Sequence, residues 1–154
     1  MITVAKHLAA CLEIAHAAAP LDVVLPDAVG CVLAEDVVAD MDLPVADLAG
    51  CDGYAVTAAE VAGAGSGPVR LDVMDAVRAG DARAMRLVRG ACVLIDSGAP
   101  MPRGADAVVS WRDTDRGTSQ VVVRRAVVAG QNVRRRAEEV EAGVKVLTEG
   151  SRVS

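Results

Sequence analysis

The near absence of aromatic side chains most constrains how this chain can build a core. Its 154 residues include 29 Ala and 27 Val but no Phe, one Trp (Trp111) and one Tyr (Tyr54). A chain of this length buries roughly 68–70% of its unfolded surface, so a real core is expected, made mainly of short aliphatic side chains. The same composition leaves almost no platform on which nucleobases would stack.

Charge is distributed unevenly along the chain. Residues 1–60 contain one cation against ten acids, a net charge of −9, whereas residues 61–154 contain fifteen cations against eleven acids, a net charge of +4. The total of −5 argues against a nucleic-acid partner, but it allows a local anion site in the second part. No uncharged run reaches the ~18 residues of a membrane span, so no membrane partner is expected.

The cysteines favour a reducing compartment. Cys11, Cys31, Cys51 and Cys92 form no C-x-x-C pair, and the chain has only two histidines. Because zinc needs clustered soft ligands, we expect no zinc site. Scattered cysteines of this kind predict free, mostly buried thiols, and therefore a cytoplasmic protein.

Hydrophobic periodicity predicts a helical start. A helix is expected over residues 4–19, with Thr3 as its cap and Pro20 as its stop. The pattern then predicts a short strand over 23–25 and a brief helix from Asp27 through Leu33.

After a turn region at 41–53 the period changes to two, which is typical of strands. We expect strands over 69–73, 93–95, 107–109 and 121–128, with a last short strand over 144–147. Strands at this spacing predict a small antiparallel barrel or coiled sheet.

Three segments carry polar groups suited to chemistry, and each has a simpler alternative. Arg134, Arg135 and Arg136 either bind an oxyanion or phosphate, or form a solvated charge run neutralised by its own acids. Asp52 either presents a carboxylate at a domain edge or belongs to an ordinary Asp-Gly turn beside a packed Tyr, with Gly53 allowing an unusual backbone angle. Ser97 either helps to hold an anion or caps a turn.

Taken in order, three segments resemble the N-terminal region of the molybdopterin molybdotransferase family, to which MoeA and the gephyrin E-domain belong. They are Asp52-Gly-Tyr-Ala-Val, then Ser97-Gly-Ala-Pro-Met-Pro-Arg-Gly-Ala-Asp-Ala-Val-Val109, then Gly130-Gln-Asn-Val-Arg-Arg-Arg136. The resemblance extends over practically the whole chain.

The resemblance implies a step of molybdenum cofactor biosynthesis in the cytoplasm. In this transferase family, molybdate is inserted into adenylylated molybdopterin with Mg²⁺. The resemblance also implies an elongated homodimer, a pathway adenylyltransferase (MogA-like) as partner, and a pterin-binding domain that this chain does not reach before Ser154. The chain alone is therefore expected to be inactive or nearly so. The alternative is a non-catalytic dimerisation or interaction module derived from the same family.

The resemblance further implies a β-dominated fold of coiled or bifurcated antiparallel sheets, with a small β-barrel-like lobe and an N-terminal helical segment. Residues 1–45 would begin an elongated dimerisation lobe, 46–129 would form an inserted β-rich lobe, and 130–154 would return to complete the first lobe.

Four residues match cleft positions of the family. Asp52 and Glu139 would arrange metal or molybdate as the catalytic pair, and Ser97 and Arg134 would hold oxyanion or phosphate. The chain departs from the usual family pattern at Leu48-Ala-Gly-Cys51, where Asn-Ser-Ala-Met is usual, and at Ala137, where Gly is usual. It also has Ser at 97 for Thr, Glu at 139 for Asp, and Trp111-Arg112 where a Gln-Glu pair is common.

Overall fold

In the computed structural model, which describes residues 2–16, 18–81 and 83–154, the chain begins with helix α1 (Val4–Ile14). Thr3 caps it as predicted, because its hydroxyl accepts the Lys6 N–H at 3.3 Å. The helix ends at Ile14 and not at 19, although residue 17 of the predicted span lies outside the described residues. No residue of α1 is buried, so the helix lacks the packing that supplies most helical stability in proteins.

The segment after α1 differs from the prediction. The strand predicted over 23–25 is absent, and in place of a helix through Leu33 a single 3-10 turn spans Leu25–Ala28. Pro26 suits this turn, since its fixed φ fits the first turn of a helix.

The described residues form nine strands and a second, four-residue helix, α2 (Ala58–Val61). Five of the strands build one sheet in the order β6-β3-β5-β4-β7, while β1 pairs with β9 and β2 pairs with β8. The strands are β1 (Val37–Val38), β2 (Leu48–Ala49), β3 (Gly53–Val56), β4 (Val69–Val77), β5 (Ala91–Ile95), β6 (Ala107–Ser110), β7 (Gln120–Val123), β8 (Val133–Arg134) and β9 (Lys145–Leu147).

The β-dominated, curled-sheet fold is therefore confirmed, with one difference in strand direction. Every pair of the five-stranded sheet is antiparallel except β4 with β5, which run parallel. Parallel neighbours need a crossover connection of about a dozen residues, which residues 78–90 provide. The curl continues beyond β6, because the chain that leaves it reaches the opposite edge, where Thr114 forms a bridge with Val123 of β7.

Strand β7 ends earlier than predicted. It stops at Val123, and the predicted extension over 124–128 is irregular and leads into a turn at 129–132. The Gln131 side chain holds this turn, since its Oε1 accepts the Val128 N–H at 3.1 Å while the Gln131 N–H donates to the Val128 carbonyl at 3.0 Å.

The sheet buries aliphatic side chains on both faces. Tyr54, Val56 and Val109 belong to one core cluster, whereas their neighbours Ala55 and Val108 belong to the other, as strand alternation requires. The Tyr54 hydroxyl is satisfied inside the first cluster because it donates to the Gly117 carbonyl at 3.0 Å. The core is thus mainly aliphatic, as the composition predicts.

The core lies in only one of two compact units. The first unit comprises the described residues of 1–37 with 145–154, and the second comprises residues 38–144. No described residue of the first unit is buried. The expectation of mostly buried thiols is therefore wrong: Cys11 and Cys31 are exposed in this unit, Cys51 is half-buried and only Cys92 is buried, all as free thiols. The predicted lobe ranges 1–45, 46–129 and 130–154 stay a prediction.

Within the described residues, no helix combines the length and the apolar character needed to cross a membrane.

Gly53 matters for a steric reason and not for the unusual backbone angle suggested by the sequence, because its φ is not positive. A Cβ at this position would lie 1.9 Å from the Val109 carbonyl oxygen. The edge strand β6 can therefore approach β3 only with glycine here.

We expect Gly53→Ala to destabilise the second unit by about 3 kcal/mol, since the clash is with backbone and cannot be relieved by a rotamer change. Urea unfolding followed by the fluorescence of Trp111, the single Trp, measures this unit directly. Gly65→Ala is the control, because nothing lies within 4 Å of the position that its added methyl group would occupy, and it should change stability by no more than about 1 kcal/mol. Equal unfolding midpoints for the two variants would contradict the steric account.

Candidate active site

Asp52 and Ser97 lie side by side because of the pairing of β3 with β5. Gly53 pairs with Ile95 across the two strands, so the residue that precedes β3 meets the turn that follows β5. The Ser97 backbone N–H donates to Asp52 Oδ1 at 2.7 Å, and the Asp52 carbonyl accepts the Trp111 N–H at 3.3 Å. Both Asp52 and Ser97 are exposed. The turn thus presents a carboxylate and a hydroxyl together at one end of the sheet.

Arg134 and Glu139 form a second pair. The Arg134 guanidinium donates to Glu139 Oε1, and both side chains are about half exposed. The backbone of Glu139 is fixed independently, since its N–H donates to the Leu43 carbonyl at 2.9 Å. The structure therefore joins the four predicted site residues two by two.

Strand β2 connects the two pairs. On one side, Leu48 pairs with Arg134 of β8. On the other side, Ala49 donates to the Ala99 carbonyl and accepts the Gly98 N–H, each at 2.8 Å. The turn that carries Ser97 and the strand that carries Arg134 are thus neighbours of the same two-residue strand, all within the second unit.

Carboxylates neutralise the whole arginine run. Besides Arg134 with Glu139, Arg135 contacts Asp47 at 2.7 Å and Arg136 contacts Asp42 at 2.5 Å. The choice left open by the sequence is answered in part: the run is neutralised by acids, but two of these acids come from the acidic first sixty residues.

Three aspartates share one bonding pattern. Each contacts a cation with one carboxylate oxygen and accepts a backbone N–H with the other: Asp36 from Glu149, Asp42 from Ala142 and Asp47 from Arg136, at 2.8 to 2.9 Å. The cation of Asp36 is Lys145. Sequence reasoning missed these residues; the only signal was the excess of acids before residue 60.

These bonds lower the pKa of all three carboxyl groups below the ordinary value of 3.8. For Asp36 the larger cause is the bond from Lys145, followed by the Glu149 N–H. The pKa of Asp42 is lowered mainly by the bond from the Ala142 N–H and then by the bond from Arg136. The pKa of Asp47 is lowered mainly by the bond from the Arg136 N–H, and Arg135 contributes less.

No group of three or more His, Cys, Asp or Glu side chains within the described ranges is arranged to hold a metal ion.

Comparison with known proteins gives the family. The model of the MoeA N-terminal region (domain I and II) matches residues 2–154. This chain belongs to that family. Molybdopterin molybdenumtransferase 2 of Mycobacterium tuberculosis is 39% identical over 155 residues, and molybdopterin molybdenumtransferase of Bacillus subtilis is 36% identical over 137 residues. These alignments cover 100% and 86% of this chain.

The fold agrees with a solved MoeA-family structure. The crystal structure of the molybdopterin biosynthesis moeA protein from Pyrococcus horikoshii OT3 matches with a TM-score of 0.81 and 35% identity, covering 86% of this chain and 35% of that chain. The present chain spans only 38% and 32% of the lengths of the Mycobacterium tuberculosis and Bacillus subtilis relatives.

The departure from the usual MoeA-family pattern at 48–51 makes the strip between the two pairs apolar. Ala49 is fully buried in the second core cluster. The Cys51 thiol is half-buried, and its pKa is raised by burial first and then by the charges of Asp52 and Asp113. The strip therefore adds no polar side chain where members of the family usually have an amide and a hydroxyl.

The departure at 137 has a backbone cost. Ala137 has φ +61°, in the left-handed region where the usual family glycine is favoured. The conformation is held by the Ala137 N–H, which donates to the Pro44 carbonyl at 3.0 Å, and by the neighbouring pairs of Arg136 and Glu139.

We expect Ala137→Gly to stabilise the chain by about 1 kcal/mol, because a non-glycine residue in the left-handed region costs about 1–2 kcal/mol and glycine loses part of that gain to unfolded-state entropy. Urea unfolding measures the change. Ala142→Gly, in the same segment but without a positive φ, should be neutral or destabilising. Stabilisation of both variants would show that the left-handed conformation is not the cause.

The lowered pKa values also predict the acid dependence of stability. A carboxyl group whose pKa is lower in the folded state contributes stability that is complete above its unfolded pKa, near 3.9, and is lost as the pH falls through the folded value. The Asp42→Asn/Asp47→Asn double variant should therefore be less stable than wild type at neutral pH, and its urea midpoint should fall less between about pH 5 and pH 3. Parallel pH profiles for the two proteins would contradict the assigned bonds.

Proposed function

We propose that this chain is the N-terminal, cleft-contributing part of a molybdopterin molybdotransferase, an enzyme that inserts molybdate into adenylylated molybdopterin in the cytoplasm. Family membership supports the reaction class. The observation that carries the proposal is the arrangement of Asp52 with Ser97 on one side of β2 and Arg134 with Glu139 on the other. A guanidinium and a hydroxyl can donate hydrogen bonds to an oxyanion or phosphate, and a carboxylate can ligate a metal ion that phosphate oxygens also ligate.

Arg134 is suited to bind the anion. Its pair with Glu139 leaves most of the five guanidinium donors available, and both side chains are reachable from solvent. Exposed ion pairs contribute about 0–1 kcal/mol, so a doubly charged oxyanion would displace Glu139 at little expense. Glu139 would then hold the guanidinium in place only until substrate arrives.

Asp52 is suited to a Mg²⁺ ion that substrate phosphates also ligate. Mg²⁺ sites commonly use one or two carboxylates with phosphate oxygens and water, and Asp52 offers an exposed carboxylate whose Oδ1 is oriented by the Ser97 N–H. When bound, Mg²⁺ would supply charge neutralisation to the phosphate. The Ser97 hydroxyl would donate a hydrogen bond to the same anion.

The proposal includes three partners. A pterin-binding domain would complete the cleft, an adenylyltransferase of the MogA type would supply the substrate, and a second copy would form a homodimer. The exposed apolar side chains of the first unit support association: Val4 of α1 is 87% exposed and Leu21 is 81% exposed. Apolar side chains that are exposed in the single chain are available to pack against a partner.

The proposal is tested by supplying the chain with a pterin-binding domain of a relative, adenylylated molybdopterin, molybdate and Mg²⁺. Asp52→Ala and Arg134→Ala should each reduce molybdate insertion by at least about 100-fold, since the first removes the proposed Mg²⁺ ligand and the second the proposed anion-binding group. Matched controls are Asp72→Ala and Arg125→Ala, which remove exposed charges outside the site and should change the rate less than about 2-fold. Wild-type rates in both site variants would show that the cleft has been assigned wrongly.

The apolar strip at 48–51 and the strained Ala137 favour a second candidate, a non-catalytic dimerisation or interaction module. This module would self-associate, or bind a full-length relative, without affinity for molybdate or pterin. Light scattering combined with calorimetric titration of molybdate and of pterin separates the two functions. The titrations are made in the presence of the pterin-binding domain. Self-association without any heat of ligand binding would favour the module.

A further inference from the structure

We propose that Asp47 is a positioning residue that couples the two halves of the candidate site, fixing Arg134 through its side chain and the Ser97 turn through its main chain. The inference deepens the proposed function and rests on it for its meaning in catalysis. Asp47 matches none of the four cleft positions assigned from the sequence, and it lies directly before β2.

The side chain of Asp47 acts on the arginine run. Its Oδ1 accepts the Arg136 N–H at 2.8 Å and its Oδ2 accepts a hydrogen bond from Arg135 Nη1 at 2.7 Å. Both partners directly follow Arg134 in the chain. Because β8 consists of only two residues, its register against β2 gains these two charge-assisted bonds at its C-terminal end.

The main chain of Asp47 acts on the turn that carries Ser97. Its carbonyl accepts the Met101 N–H at 2.9 Å, and the next residue, Leu48, bridges to Pro100. Leu48 is also the partner of Arg134 in the β2–β8 pair. One short segment therefore touches both the turn after β5 and the strand with the anion-binding arginine, so a shift of Asp47 is transmitted to both.

Asp42 provides a matched comparison within the same protein. It has the same chemistry, one oxygen on the Arg136 guanidinium and the other on the Ala142 N–H. Unlike Asp47, it does not adjoin β2. A purely structural role of aspartate–arginine pairs would thus be common to both residues, whereas the coupling would belong to Asp47 alone.

The first experiment compares amide chemical shifts of the 154-residue chain as wild type, Asp47→Asn and Asp42→Asn. Asparagine keeps the size of the side chain and one acceptor oxygen, but it removes the charge and places an amide group toward Arg135. We expect Asp47→Asn to shift the amide signals of Ser97, Met101 and Arg134, and Asp42→Asn to shift mainly those of Ala142 and Arg136. Shifts from Asp47→Asn that are confined to its own neighbours, or equal effects of both variants at Ser97, would overturn the inference.

Arg135→Gln is the second variant in case Asp47→Asn does not fold. It breaks the Asp47–Arg135 bond and leaves the Arg136 N–H bond in place. It should move the Arg134 signal and, by less than Asp47→Asn does, the Met101 signal, because Asp47 loses only one of the two side-chain bonds that hold it in place. An unchanged Arg134 signal in a folded Arg135→Gln chain would contradict the role of the side chain.

The catalytic consequence is measured in the complemented insertion assay with molybdate as the varied substrate. Asp47→Asn should raise the KM for molybdate about 10-fold or more, since misplacement of a binding group by about 1 Å costs up to about 100-fold, whereas Asp42→Asn should change it less than about 2-fold. A KM effect that is equal in the two variants would overturn the positioning role.

The chemical-shift comparison and the insertion assay test this inference and the proposed function separately. The shift comparison needs no substrate, so it decides the coupling even if the wild-type chain supports no insertion, which would count against the function alone.

Discussion

The path of residues 135–149 depends on carboxylates from the first fifty residues of this chain. Asp42 and Asp47 hold the segment that follows β8, and Asp36 holds the residues around β9 in the same way. A single exposed ion pair contributes at most about 1 kcal/mol, which would not hold a segment of this length. Each aspartate accepts a hydrogen bond from a backbone N–H in addition to contacting its cation. Together these charge-assisted bonds fix the path of a segment that has little regular structure.

The candidate site follows from this constraint because its strands are too short to stand alone. Strands β2 and β8 have two residues each, and even complete two-stranded hairpins are marginally stable in water. The site is therefore held in place by contacts outside these strands: Ala49 is buried in the core, and the arginine run is bonded to Asp47. The net charge is −9 before residue 61 and +4 after it, and part of this imbalance arises because aspartates of the first part pair with cations of the second.

The sequence was sufficient where the signal is local. Alternation in 69–73 and the apolar runs at 93–95 and 107–109 predict β4, β5 and β6, and Thr3 predicts the start of α1. Strand β3 was missed because it begins at the glycine of an Asp-Gly pair, which is typical of a turn. The aspartate contacts were missed because they join residues 88 to 113 positions apart, a separation that leaves no periodic pattern. Pairing of Asp52 with Ser97 likewise depends on the register of β3 against β5, which no local pattern specifies.

The departures from the usual family residues fall on side chains, whereas the frame of the site is bonded through backbone atoms. Ala49, Gly50 and Asp47 all contribute main-chain groups to it, and these bonds do not depend on which side chains occupy 48–51. A frame of this kind tolerates loss of the family's usual amide and hydroxyl without loss of fold. Retention of the frame is therefore weak support for catalysis, and Asp52 and Arg134, whose side chains the frame presents, are the groups that distinguish an enzyme from an interaction module.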